Sequence, residues 1–320
     1  MISCSIINIY YLCINDINLL KSMITKRHIL FPILLLMLLI SCSTKDKEVN
    51  SGNQIKDDLG NVFTINKTPT RIITLAPNLT EIIYFLDLEK YLVGNTLYCN
   101  YPPAAQKIEK VGDMLTFNYE KILTLKPDLI FITVEGNTKE TYDKFKELGL
   151  RIFVSNPRNF EGIIKTIIDF GRIFHIQKSA ERKIAEWDST ITKIRNVTSK
   201  EPKRTAMYCV ELQPVMLAGK NTFINEFLEF CGLKNIAEDS RVNYPVFSRE
   251  EILERNPDYI LIPTGGDENI SDIEKLYPEW KNLEAIKNKH VLFVDRDLYS
   301  RPGSRFVEAV EDLYSKTHPR

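Results

Sequence analysis

The chain has 320 residues, with 42 Lys and Arg balanced by 42 Asp and Glu for a formal charge of zero. That balance excludes the single-sign field of a nucleic-acid binder, and the length admits one large or two ordinary domains. Four histidines and six cysteines, with no CxxC, fit no zinc or iron–sulfur spacing.

Residues 1–22 carry no readable pattern and read as sequence upstream of a functional start at Met23. Residues 23–41 combine Lys26, Arg27 and His28 with an apolar run from Ile29 to Ile40 and a small residue before Cys42. This is the grammar of a secretory signal, and the run is shorter than the ~20 residues a membrane-spanning helix needs. Its ending, LLISC, resembles a bacterial lipobox. The resemblance implies cleavage before Cys42, acylation of that cysteine, and anchoring to the cell membrane facing the periplasm or the cell exterior. The polar residues 42–60 then form a tether.

Strand and helix signals alternate over residues 61–158. RIITLA (71–76) predicts a buried strand, and PNLTEIIYFL a helix with Asn78 as N-cap and Glu81 at capping-box spacing. An irregular stretch containing Tyr98 and Tyr101 follows, then the helix TKETYDKFKELG closed by Gly149, then the strand LRIFVS. Residues 159–200 show only helical spacing, at Ile163, Ile164, Ile167, Ile168 and Phe170, then Ile184, Trp187, Ile191 and Ile194. Two consecutive helices are expected there, the second long enough to connect two lobes. Residues 201–320 restart the alternation: RTAMYCVEL as strand, NTFINEFLEFCG as a helix closed by Gly232, HVLFVD as strand, and a last helix from about Pro302. Cys99, Cys209 and Cys231 read as small buried residues.

One phrase occurs twice. YEKILTLKPDLIFI at 119–132 and REEILERNPDYILI at 249–262 match at Glu120/Glu250, Ile122/Ile252, Leu123/Leu253, Pro127/Pro257, Asp128/Asp258, Ile130/Ile260 and Ile132/Ile262. Each copy predicts a short helix, a proline that cannot continue it, and a buried strand starting at the Asp. The constant offset predicts two lobes of the same plan. The fold class expected is α/β: two Rossmann-like lobes with parallel central sheets, joined by a long connecting helix, with a ligand cleft between them. Ligands of such sheets meet loops at strand carboxyl ends and helix N-termini, which makes Pro77 and Asn78 cleft candidates.

The segments RIITLAPNLTEIIYFL, YPPAAQKIEKVG, KPDLI and DSRVNYPVFSREEIL make the chain resemble the helical-backbone substrate-binding proteins of ABC importers, most closely those that bind cobalamin. The resemblance runs from about Arg71 to Leu313. It implies a binding protein rather than an enzyme, with no resident cofactor. It also implies a monomer that delivers a corrinoid, or alternatively a ferric siderophore or haem, to a permease dimer with its ATPase subunits. Matched motif by motif, the cleft residues fall on Tyr98, Tyr244, Asp297 and Arg301, where flat rings would cover a corrin and an Asp and Arg would meet its amide arms. Met114 and Thr133 stand where such relatives carry tryptophans, and Met114 is kept as a cleft residue. Tyr314 stands opposite Cys231 where those relatives close a disulfide.

The resemblance also implies that Glu120 and Glu250 are docking residues, one acidic knob per lobe for two copies of a basic permease pocket. A bare metal ion is disfavoured as cargo, because His175, His290 and His318 are scattered. Haem could draw an axial ligand from Tyr98, Tyr101 or Tyr244, and a catecholate siderophore could use Arg301 and Arg305. No G-x-S-x-G, Walker loop, G-x-G-x-x-G or H-E-x-x-H supports an enzyme. A structural lipoprotein is the third class.

Overall fold

A computed structural model describes residues 54–266 and 269–319, which fall within one compact unit. The signal segment, Cys42 and most of the tether lie outside the described residues. The end of the tether does not. Gln54–Lys56 (β1) pairs antiparallel with Val62–Thr64 (β2), and burial of Ile55 and Phe63 draws this polar stretch into the fold. Asp57 closes the turn by accepting from the N–H groups of Leu59 and Asn61 at 3.0 and 2.8 Å.

Ile72–Thr74 (β3) leads into Pro77–Phe85 (α1), followed by Leu92–Asn95 (β4), Tyr119–Thr124 (α2), Leu129–Ile132 (β5), Lys139–Glu147 (α3) and Ile152–Val154 (β6). The four strands β4-β3-β5-β6 form an all-parallel sheet. Every residue of β3 and β5 is buried, which is why these strands read as apolar runs without alternation.

Phe160–Ile173 (α4) and Gln177–Thr198 (α5) then run with no strand between them. In α5 the buried Ala180, Ile184, Trp187, Ile191 and Ile194 recur every three or four residues and form one face. Trp187 on that face lies 5.1 Å from Phe85 of the first half. At the C-terminal end of the helix, Thr198 Oγ1 donates to the carbonyl of Phe230 in the second half at 3.1 Å. The long helix therefore ties both halves into one hydrophobic core.

The second half contains Arg204–Glu211 (β7), Met216–Leu217 (β8), Phe223–Phe230 (α6), Leu233–Asn235 (β9), Arg249–Arg255 (α7), Tyr259–Thr264 (β10), Ile270–Leu276 (α8), Glu284–Lys287 (α9), Val291–Asp295 (β11), Arg296–Tyr299 (α10) and Phe306–Thr317 (α11). β11, β10, β7 and β9 are parallel, as expected, but β8 runs antiparallel to β7. The short link between β7 and β8 allows only a hairpin, because a parallel partner needs a crossover. The last helix starts at Phe306 rather than near Pro302, since Pro302 and Gly303 are held against the first half, as described below.

The repeated phrase has a shared structural cause. Asp128 accepts from Thr70 N, Thr70 Oγ1 and Arg71 N at 2.8, 2.9 and 3.1 Å, just ahead of β3. Asp258 accepts from Thr205 N and Oγ1 at 2.7 and 2.8 Å, in β7. Each Asp thus clamps the neighbouring strand, and its own strand begins one residue later. Two residues before each Asp, Lys126 and Asn256 both turn left-handed, at φ 48° and 39°. Asn118 and Ser248 cap the two phrase helices in equivalent ways.

Candidate functional site

The side chains expected in the cleft converge on strand carboxyl ends in both halves. Pro77, Asn78, Tyr98, Met114, Asp297 and Arg301 line one cavity of about 310 Å³. Tyr244 lines an adjoining cavity of about 510 Å³. Glu135, Arg296 and Ser300 belong to both, so the two spaces form one cleft between the halves. Thr133 also faces the smaller cavity.

Asn78 does not cap its helix. Pro77 occupies the first helical position, Ala76 is the N-cap, and no side chain accepts from the first turn. Asn78 instead crosses to the second half, where its Nδ2 donates to the carbonyl of Pro302 at 3.1 Å. Glu81 is likewise no capping-box partner. Its carboxylate, 1 % exposed, accepts from Arg301 Nη1 at 2.8 Å and from Arg305 Nε and Nη2 at 3.0 Å each.

Arg301 and Asp297, expected to meet ligand amides, already have protein partners. Arg301 Nη2 lies 2.7 Å from Asp297 Oδ1, and its Nη1 also reaches Asn100 Oδ1 at 2.8 Å. Asn100 Nδ2 returns the contact to Asp297 Oδ2 at 2.6 Å. Arg305 is not a solvated helix-start residue, because its guanidinium lies 4.0 Å from the Tyr101 ring as well as on Glu81. Asp297 and Arg301 thus build the cleft wall as a closed polar network. The sequence reading missed Asn100 altogether and gave Glu81 a different role. A weak sign was available in two arginines four residues apart beside proline and glycine.

Tyr98 stays exposed on a loop that Lys110 organises. Its ammonium donates to Asn95 Oδ1 at 2.7 Å and to the carbonyls of Cys99 and Ala105, and burial lowers its pKa. Met114 packs its methyl group over Gly136, where a Cβ would collide with it. Across the cleft, the loop carrying Tyr244 lies against Gly219, whose N–H donates to Asn243 O at 2.7 Å and whose missing side chain leaves room for Val242 O. Burial pushes the Tyr244 phenol up to about 12, the Glu135 charge adds to the rise, and Arg158 opposes it.

The described residues contain no group of three or more His, Cys, Asp or Glu placed to hold a metal ion. His290 stacks on Tyr259 at 4.5 Å and His318 on Tyr314 at 4.7 Å. Cys99, Cys209 and Cys231 are free and buried, and burial raises the Cys209 thiol to about 12. Glu120 and Glu250 are exposed in the first turns of α2 and α7, on equivalent elements of the two halves.

With this geometry in place, residues 72–298 match the family model described as periplasmic binding protein. The chain belongs to the periplasmic binding protein family. This periplasmic binding protein is 33% identical over 272 residues to an uncharacterised ABC transporter substrate-binding lipoprotein, YvrC, of Bacillus subtilis, covering 82% of this chain and 85% of that one. The crystal structure of the periplasmic vitamin B12 binding protein BtuF of Vibrio cholerae is similar at a TM-score of 0.67 and 29% identity, covering 78% of this chain and 96% of that one. A possible iron-binding periplasmic solute-binding protein of Staphylococcus epidermidis is similar at a TM-score of 0.70 and 29% identity, covering 79% and 100%. The two-lobed α/β architecture is that of these binding proteins. The protein is a substrate-binding protein of an ABC importer, of a family that delivers small-molecule ligands to permease and ATPase components.

Proposed function

We propose that this binding protein captures a corrinoid between its lobes and delivers it to a permease dimer, without catalysing a reaction. The observation that carries the ligand class is the position of Glu81. Arg301 and Arg305, the two arginines read from the sequence as catecholate ligands, are both already paired to this buried carboxylate. A cleft with these charges compensated suits a large ligand carrying neutral amides. Tyr98 and Tyr244 would supply flat apolar cover, and Pro77, Asn78 and Met114 the remaining wall. Similarity to vitamin B12-binding proteins supports the same choice. Asp297 and Arg301 would serve by shaping the wall and would reach the ligand only by exchanging present partners. A ferric siderophore is the second reading, favoured by the iron-binding relative. The rest of the proposal is a monomer anchored through acylated Cys42, with Glu120 and Glu250 as the two docking points.

The deciding measurement is the absorbance spectrum and stoichiometry of chromophore retained by purified protein after incubation with cyanocobalamin, haem or ferric siderophores. One equivalent of retained cobalamin is expected. Retention of a ferric siderophore or haem, but no cobalamin, overturns the corrinoid reading.

A further inference from the structure

Glu135 stands where the two cavities meet and lines both of them. The turn that carries it, just after β5, is braced from three sides. Asn137, itself buried, accepts from Thr133 N at 3.0 Å through Oδ1 and donates through Nδ2 to the carbonyls of Leu75 and Met114 at 3.2 Å each. Gly136 is held beneath the Met114 methyl group. The carboxylate is therefore presented from a rigid base.

Unlike the Glu81 carboxylate, this one is not enclosed by donors. Its ion-pair partner is Arg158 at 4.0 Å, beyond hydrogen-bond distance, and the Glu135 side chain is 40% exposed. Its charge acts across the cleft on Tyr244. Glu211 and Arg296 line the larger cavity from the second half. A ligand that fills both cavities lies against Glu135, and the water it displaces makes charge count for more there.

We infer that Glu135 is a specificity-determining residue, a carboxylate at the cavity junction that accepts hydrogen bonds from neutral amide groups of a ligand and repels ligands presenting carboxylate or catecholate oxygens there. The inference rests on the reading above that the cleft is the ligand site. An amide N–H on an ionised acceptor makes a charge-assisted hydrogen bond, whereas like charges brought face to face at an interface select against the wrong partner.

The test uses Glu135→Gln and Glu135→Arg, with dissociation constants for cyanocobalamin, which is rich in amides, and for haem, which carries two propionates. The affinity ratio is expected to shift toward haem by about tenfold in Glu135→Gln and further in Glu135→Arg. Glu140→Gln, an exposed change on α3 outside both cavities, should leave the ratio within about twofold. If the parent binds only cobalamin, Glu135→Arg must gain measurable haem binding. An unmoved ratio, or no such gain, in variants that melt with the parent overturns this inference and leaves the cleft reading intact. A parent that retains neither ligand overturns this inference and, with it, the corrinoid reading.

Discussion

Glu81 Oε1 lies 2.8 Å from Arg301 Nη1, joining residues 220 positions apart across the cleft. Arg305 grips the same carboxylate with two nitrogens, and all three side chains are nearly enclosed. Removing the shared acceptor leaves two guanidiniums facing each other without their anion. Glu81→Ala should therefore lower folding stability by about 3–5 kcal/mol, read from urea unfolding. Arg301→Ala should cost less, because Arg305 still holds the carboxylate. A Glu81→Ala midpoint equal to the parent's would show that the network contributes nothing to the fold.

Glu226 on α6 accepts from the N–H of Phe160, the first residue of α4. Burial raises its pKa above the ordinary carboxylate value, and the Glu229 and Glu161 charges add to the rise. The folded protein thus holds this proton more tightly than the unfolded chain does. The associated stability is complete below the unfolded pKa and is lost as pH rises through the folded one. Glu226→Gln keeps an acceptor without the charge, so it should be more stable than the parent at pH 7, with the difference closing toward pH 4. Unfolding midpoints measured across that range check the sign, and a variant less stable at pH 7 contradicts it.

Glu120 and Glu250 make no side-chain hydrogen bond or ion pair among the described residues, although each sits in the first turn of a helix. Their dipole contribution is only about 0.3–1 kcal/mol, so substitution leaves the fold almost untouched. We expect Glu120→Ala and Glu250→Ala to retain ligand affinity and melting temperature while each reduces uptake in reconstituted vesicles, the double variant most. Full uptake by the double variant would reduce the repeated acid to helix chemistry.

Cys42→Ala should move the protein from the membrane fraction to the soluble one or stall its processing, because each buried acyl CH₂ contributes ~0.8 kcal/mol to anchoring. Identical detergent partitioning of parent and variant would remove the lipid anchor.

The elements legible in the sequence were those whose burial writes a periodic pattern. The face of α5 shows this as helical spacing, whereas the wholly buried β3 and β5 were legible as unbroken strand runs. The hairpin of β1 and β2 was lost because a three-residue strand with one inward side chain leaves no period to detect. Within the cleft, Pro77 and Asn78 could be read from a strand end and Tyr98, Tyr244, Asp297 and Arg301 from the family resemblance, but their partners could not. Local spacing made Glu81 a capping residue, whereas Arg301 and Arg305 reach it only after the chain has folded back over more than two hundred residues. The antiparallel β8 was missed for a related reason, since two residues carry too little pattern to announce a strand.

The enclosed thiols have a practical consequence. Cys99, Cys209 and Cys231 are at most 2 % exposed, so maleimide reagents have no accessible target among the described residues of the native protein. Cysteines introduced at the exposed positions 120 and 250 would be the reactive pair on this surface, one on each lobe. A donor and acceptor dye placed there would report lobe separation as ligand is added, on molecules free in solution.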